Sequence, residues 1–395
     1  MTSAAARDER DEHLRHEIEA IYAELTDGLR RRLRVAELVY TAAERFPDLL
    51  PSRAAIDAER ERLQKDKQGL EIDQGIFVSH VLANPRTGVH LVHAMSQPTT
   101  AALERLHELE RRGAIDLGPV RVDRRDNVGH VTIQNHAFLN SEDDASTAAL
   151  ETAIDLVLLD DAVRVGVLRG APATHPKYAG RRIFGSGINL THLYHGKISL
   201  VEFMLERELG GVSKLYRGHD LAAFDAIGPE RRREKPWIAA VETFAIGGAC
   251  QWLLVMDRVI AERGSYFNLP ARKEGIIPGC ANMRLPRLVG DRLARAAIFF
   301  NHAFLADEPD GRLIADEVVA GDRMDAAIEH AATELTAAGT TSLEANRRAM
   351  RVAQEPVDVF RRYMSTYARE QAHCLYSPAL IGNLEANWDA RRRRL

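Results

Sequence analysis

The chain has 395 residues, 45% of them hydrophobic and 28% charged, with a formal net charge of −4. That length exceeds one ordinary core, so a main domain with a second unit or extensions is expected, and the apolar fraction excludes disorder as the default state. The near-balanced charge lacks the basic footprint of a phosphate-backbone binder and leaves nucleic acid out of the expected partners.

From about Asp8 to Gly118, apolar and charged residues interleave at helical spacing, as in Leu29, Leu33, Leu38 and Val39 and again in Ala102, Leu103, Leu106 and Leu109. Pro47, Pro51, Pro85 and Pro98 divide this stretch into several helices, because proline lacks the N–H that a helix interior needs. Residues 1–118 are therefore predicted to form a helical N-terminal domain. At Pro119 the pattern changes: VRVDRRDNVGHVTIQN alternates apolar and polar residues around a turn at Asp126 to Gly129, which predicts two strands. A helix at about Ala145 to Leu159 and an apolar strand ending at Gly170 follow, the order of a layered α/β domain. PWIAAVETFAIGGACQWLLVMDRVIAERGSYFNLP repeats that logic with a buried strand, a glycine turn, a helix and another strand. After Leu288, helices are predicted over Leu293 to Leu305, Arg323 to Ala338 and Ser342 to Gln371, and the Arg391 to Arg394 run reads as a solvated tail.

The three cysteines, Cys250, Cys280 and Cys374, form no CxxC pair, which argues against a disulfide framework and a zinc ribbon. The N-terminus becomes densely charged at once, and no stretch is long and apolar enough to span a bilayer. A cytoplasmic protein without a membrane partner is expected.

Chemistry concentrates in TFAIGGACQWLLVMD, which sets Gly247 and Gly248 between a strand and a helix. Glycine there removes the Cβ that would block a ligand, so backbone N–H groups at a helix N-terminus can face a negative oxygen; a plain tight turn is the rival reading. The fifteen histidines include no HExxH, and the pairs His192/His195 and His90/His93 are of a kind usually incidental on a helix or strand, so no metal is expected. FGSGIN lacks the spacing of a dinucleotide fingerprint.

Asp257 near the end of that helix, the strand VIAERGSYF and then LPARKEGIIPGCANMRLPRLVG complete an ordered set. The set resembles the crotonase (enoyl-CoA hydratase/isomerase) superfamily, closely over Trp237 to Gly290 and more loosely from Pro119 to Gly339. Upstream, RRIFGSGINL is similar to the family's apolar strand running into its first oxyanion-hole loop, and NHAFLNSED to its LNA stretch. The resemblance implies an α/β fold: a crotonase (ClpP-like) core of repeated ββα units over 119–339, followed by a C-terminal helical segment over 340–395. It also implies homo-oligomers, trimers or hexamers.

Carried over position by position, the family's two donor N–H groups fall on Ile188, after Gly187, and on Gly248, after Gly247, facing one thioester oxygen. Donors aimed where an enolate's charge develops are worth about 10²–10³ in rate each. The family's hydratases carry glutamates where this chain has Gln251 and Ala271, so acid–base hydration by paired carboxylates is poorly supported.

The whole chain, including HPKYAGRRIFGSGINLTHLYHGKISLVEFMLERELGG, is further similar to a cofactor-independent oxygenase branch of the superfamily. This implies an arylacetyl-CoA substrate and dioxygen as co-substrate, with neither metal nor organic cofactor. On this reading Ile276 and Leu190 border an apolar oxygen niche, with core packing as the alternative. Glu142, Arg207, Gln251 and His136 meet the substrate, although Arg207 equally suits a helix salt bridge and Glu142 a helix N-terminus. Lys177, Tyr178, Arg181, Gly187 and Gly247 meet CoA. The base for the α-proton is not identifiable, and isomerisation, decarboxylation, thioester hydrolysis or plain acyl-CoA binding stay open.

Overall fold

The computed structural model describes residues 4–221 and 232–395. Its centre is a seven-stranded sheet in the order 114–116, 120–125, 128–133, 165–170, 237–241, 258–262 and 317–319. The first two pairings are antiparallel and the rest parallel. Period-two burial explains how the sheet is covered. In Trp237–Val241, Trp237, Ala239 and Val241 join the main core, while Ile238 and Ala240 face a smaller one beneath the helix Met324–Ala337. Both faces are buried, so the strand reads as a continuous apolar run. A second sheet pairs Phe244–Ile246 with Tyr266–Asn268, and the latter with Phe304–Leu305.

The N-terminal region forms six helices, Ala4–Leu25, Val35–Arg45, Arg53–Arg60, Leu70–Ala83, Pro85–Met95 and Thr100–Arg112. The prolines act as expected: Pro85 occupies the first turn of its helix, and Pro47, Pro51 and Pro98 lie between helices. The helical pattern ends earlier than Gly118. Gly113, at φ +69°, terminates the last of these helices, and Ala114–Asp116 turns back to pair with the second strand. Leu38, Phe77 and Leu91 share a core with Phe203, Phe360, Met364 and Leu380, so the N-terminal helices, the segment around Phe203 and the C-terminal helices enclose common apolar volume.

Three expectations change. The helix expected from Leu293 begins at Ala281, kinks at Gly290 and ends at Phe300, so that Phe304–Leu305 is a strand. Ser342 to Gln371 is two helices, Thr341–Gln354 and Val357–Leu375, because Pro356 lacks an N–H and pushes Glu355 out of helical geometry. RRIFGSGINL forms no continuous strand; its extended course is held by isolated bridges from Arg182, Gly185 and Ile188 to three different segments.

Candidate active site

Glu142 and Ile188 form a parallel bridge in which Glu142 donates its N–H to the Gly187 carbonyl and accepts from the Asn189 N–H, both at 2.7 Å. The neighbours of Ile188 take up those bonds, so its own N–H has no acceptor among the described residues. Gly248 opens the helix Gly248–Leu253, and its N–H is equally unsatisfied, as expected in a first helical turn. Gly187 brings the two together. At φ +81° it adopts a conformation costly for other residues, and a Cβ there would lie 3.3 Å from the Gly248 nitrogen.

Ile188, Gly247 and Gly248 line a narrow inner cavity together with Glu142, Arg207, Gln251, Ala271 and Ile276. Phe203, Met204, Ile277 and Pro278 supply apolar wall. The 276–279 loop is tied to the helix Val357–Leu375: the Ile277 N–H donates to Gln371 Oε1 at 2.8 Å, and the Tyr363 hydroxyl donates to the Gly279 carbonyl.

Arg207 lies in a wide π-helical turn, Arg207–Val212, which follows a π-helical run over Leu200–Leu205. Such turns are uncommon and recur at functional sites. Its side chain is buried, and its five N–H donors are all used. Nε donates to Glu142 Oε2 at 2.8 Å, Nη1 to Glu208 and to Gln251 Oε1 at 2.9 Å, and Nη2 to Glu142 Oε1 at 3.2 Å and the Gly248 carbonyl at 2.7 Å. Its guanidinium carbon sits 4.8 Å from the centre of the Trp252 ring, and Trp252 Nε1 donates to Glu142 Oε1 at 2.5 Å. Burial opposes the charge on Arg207, but Glu142 and Glu208 outweigh it and hold the pKa above the ordinary arginine value. The alternation of charge continues from Glu208 through Arg284 to Glu355 beside the C-terminal helices.

Gly248 leaves room for the Glu142 carboxylate: a Cβ there would fall 2.2 Å from Glu142 Oε2. Gln251 presents its amide N–H₂ without an acceptor among the described residues, its oxygen being held by Arg207. The Cys250 thiol, next to it in the chain, is pushed up to about 12 by burial, so it is no thiolate nucleophile at neutral pH.

A wider outer groove adjoins the cavity and is lined by Tyr178, Phe244, Tyr266, Leu190 and Trp388, among others. Leu190 thus borders the groove, whereas Ile276 borders the cavity. Lys177 and Arg181 are exposed, Lys177 holding its ammonium 5.0 Å from the Tyr178 ring centre. His136 is exposed too; its neighbours Ala137 and Phe138, not His136, line the groove. His192 pairs with Asp143 at 3.2 Å, and His195 meets the Arg393 carbonyl. Among the described residues no cluster of three or more His, Cys, Asp or Glu is arranged to hold a metal, and no helix is long and apolar enough to cross a membrane.

Sequence reasoning missed Glu208, Tyr367 and Glu274 in the cavity wall, and Trp252, which holds Glu142 from outside it. Only Glu274 carried a signal: an acid one helical turn after Ala271, where the hydratases place a glutamate. Burial alone pushes its carboxyl up to about 7.

Residues 123–368 match the enoyl-CoA hydratase/isomerase family. The (3,5-dihydroxyphenyl)acetyl-CoA 1,2-dioxygenase of Amycolatopsis orientalis is 48% identical over 375 residues, covering 95% of this chain and 85% of that protein. The 2,3-dehydroadipyl-CoA hydratase of Escherichia coli K12 is 26% identical over 59% of this chain and 82% of its own. In structure, the enoyl-CoA hydratase of Bacillus halodurans superposes with a TM-score of 0.57 at 17% identity, over 68% of this chain and all of that one. The two free donors and the ββα layers around them thus sit on a shared architecture, and the chain belongs to the enoyl-CoA hydratase/isomerase family.

Proposed function

We propose that the protein is a cofactor-independent dioxygenase that converts 3,5-dihydroxyphenylacetyl-CoA and dioxygen to 3,5-dihydroxyphenylglyoxylate and CoA. The observation that carries this reading is the likeness to the Amycolatopsis dioxygenase, which covers 95% of the chain and so extends beyond the family core through the helical N-terminal region. The cavity agrees. It offers two unsatisfied N–H groups and, at the hydratase glutamate positions, Gln251 and Ala271.

In this mechanism the thioester oxygen takes the N–H groups of Ile188 and Gly248, which stabilise the enolate formed when an α-proton leaves. Gly187 and Gly247 let the thioester approach the backbone. The phenolic ring meets Glu142 and the free amide of Gln251. Arg207, with all its donors committed, is a positioning residue that holds both. The electron-rich enolate passes an electron to dioxygen, the radical pair combines at the α-carbon, and the peroxide attacks the thioester carbonyl. The C–S bond breaks, and loss of the second α-hydrogen as the O–O bond cleaves leaves the keto acid. The substrate is thus the reductant, in place of a metal or organic cofactor.

Ile276 contributes to the apolar niche for dioxygen, and Leu190 to its outer approach. The CoA arm follows the groove past Tyr178, with Lys177 and Arg181 near its phosphates and His136 at the rim. The three unpaired cysteines fit a cytoplasmic setting. Exposed Phe299, Phe300 and Leu305 offer an apolar patch that a trimer or hexamer would cover.

The test is dioxygen uptake by chelator-treated, metal-analysed protein given 3,5-dihydroxyphenylacetyl-CoA, with CoA and keto acid quantified together. Equimolar uptake and release of both products are expected. CoA release without uptake would replace this reading with thioester hydrolysis.

A further inference from the structure

An enolate mechanism needs a base, and the carboxylates nearest the donors are committed. Glu142 and Glu208 are both bonded to Arg207. Tyr367 lines the cavity, but burial and the nearby Glu208 raise its hydroxyl well above the ordinary range. Glu274 differs from all of these. It closes the short helix Ala271–Glu274, three residues after Ala271, so both stand on one helical face.

Ile188 and Glu274 are the two residues that line both the inner cavity and the outer groove. A substrate whose acyl group fills the cavity and whose CoA arm lies in the groove must cross this junction at its thioester. The Glu274 carboxylate has no hydrogen bond or ion pair among the described residues.

We propose that Glu274 is the catalytic base that removes the α-proton of the thioester. This assignment rests on the reading of the chain as an acyl-CoA enzyme that works through an enolate. A Glu274 oxygen takes the proton, the C–H electron pair becomes the enolate double bond, and the charge moves to the thioester oxygen opposite Ile188 and Gly248. Protonated Glu274 then returns that proton to the CoA sulfur as the C–S bond breaks, so CoA leaves as the thiol. The restored carboxylate takes the second α-hydrogen as a proton when the O–O bond cleaves and the ketone forms, and it releases that proton to water through the groove.

Glu142, Arg207, Glu208 and Tyr367 face the cavity, and His175, Tyr178, Tyr266, Lys273 and Arg393 face the groove. None of them sets the state of Glu274. The apolar wall does, and by burial alone it pushes the carboxyl up to about 7, where a base is both available and effective near neutral pH.

The deciding experiment incubates 3,5-dihydroxyphenylacetyl-CoA anaerobically in D₂O with wild type, Glu274→Gln and Glu274→Asp. Deuterium at the α-carbon is followed by mass spectrometry, and substrate binding by equilibrium dialysis. The expected result is an exchange rate and a kcat lowered by about 10²-fold or more in Glu274→Gln, at a dissociation constant near that of wild type. Glu274→Asp should recover part of both and move the acidic limb of the kcat profile. Wild-type exchange rates in Glu274→Gln, or a loss of exchange matched by an equal loss of binding, would overturn the assignment. Wild-type protein that exchanges the α-hydrogens but takes up no dioxygen would overturn the dioxygenase reading and leave the base standing.

Discussion

In the lining of the inner cavity Arg207 gives all five donors to protein acceptors between two carboxylates, whereas Glu274 stands in an apolar setting with no partner among the described residues. Arg207 is buried and Glu274 half-buried, with opposite results. Partners hold the charge on Arg207 above its ordinary pKa, whereas the lack of partners makes the charge on Glu274 costly and brings its titration to about neutrality. A saturated ion network suits positioning, because its members are held in place. A lone carboxyl in an apolar wall suits proton transfer.

The largest test of this contrast removes the saturated side. Arg207→Met leaves Glu142 and Glu208 buried without their common partner, and breaking a buried pair this way typically costs about 3–5 kcal/mol. Urea unfolding should show that loss, and an unchanged midpoint would mean that the network contributes no rigidity. Gly187→Ala comes next. The residue sits at φ +81°, and its new Cβ would lie 2.9 Å from the Ile246 carbonyl and 3.3 Å from the Gly248 nitrogen. Disturbing the donor pair should lower kcat by about 10²–10³ with the circular dichroism spectrum preserved. A retained kcat would show that the two N–H groups do not serve the reaction.

The smallest expected effect is a dependence of stability on pH. The folded-state pKa of Glu274, about 7, lies above its ordinary value of 4.5, so the folded protein binds this proton more tightly than the unfolded chain. The associated stability is complete below the ordinary carboxylate pKa and is lost as pH rises through the folded value, on the order of 2–3 kcal/mol. Glu274→Gln should flatten this slope between about pH 5 and pH 8 and should be more stable than wild type at the upper end. Unfolding midpoints across that range that fall in parallel for both proteins would show that Glu274 titrates as an ordinary surface acid.

The fold was legible wherever local pattern and local chemistry agree. The alternation in residues 120–133, the buried runs at 165–170 and 237–241 and the proline-divided N-terminal helices are all in place. The errors arose where one residue outweighs a period: Pro356 splits a helix that apolar spacing alone would continue, and Gly113 frees three residues to join the sheet. RRIFGSGINL reads as a strand because it is apolar, but its backbone partners come from three separate segments. At the site, Gly248, Gln251, Ala271 and Glu142 were visible as motif positions, and all line the cavity. Glu274 was not, since a glutamate on a short charged turn looks like solvated surface until its surroundings are known.

By itself the sequence determined the order of elements, the two-sided burial of the central strands, the glycine turn that frees a donor N–H, and the absence of glutamates from the hydratase positions. Only tertiary structure decided which charges are answered. The acceptors of Arg207 come from residues 142, 208, 248 and 251, and the setting of Glu274 from the meeting of a cavity and a groove. The electrostatic state of a side chain depends on distances of a few ångströms between segments far apart in the chain, and no local pattern encodes those distances.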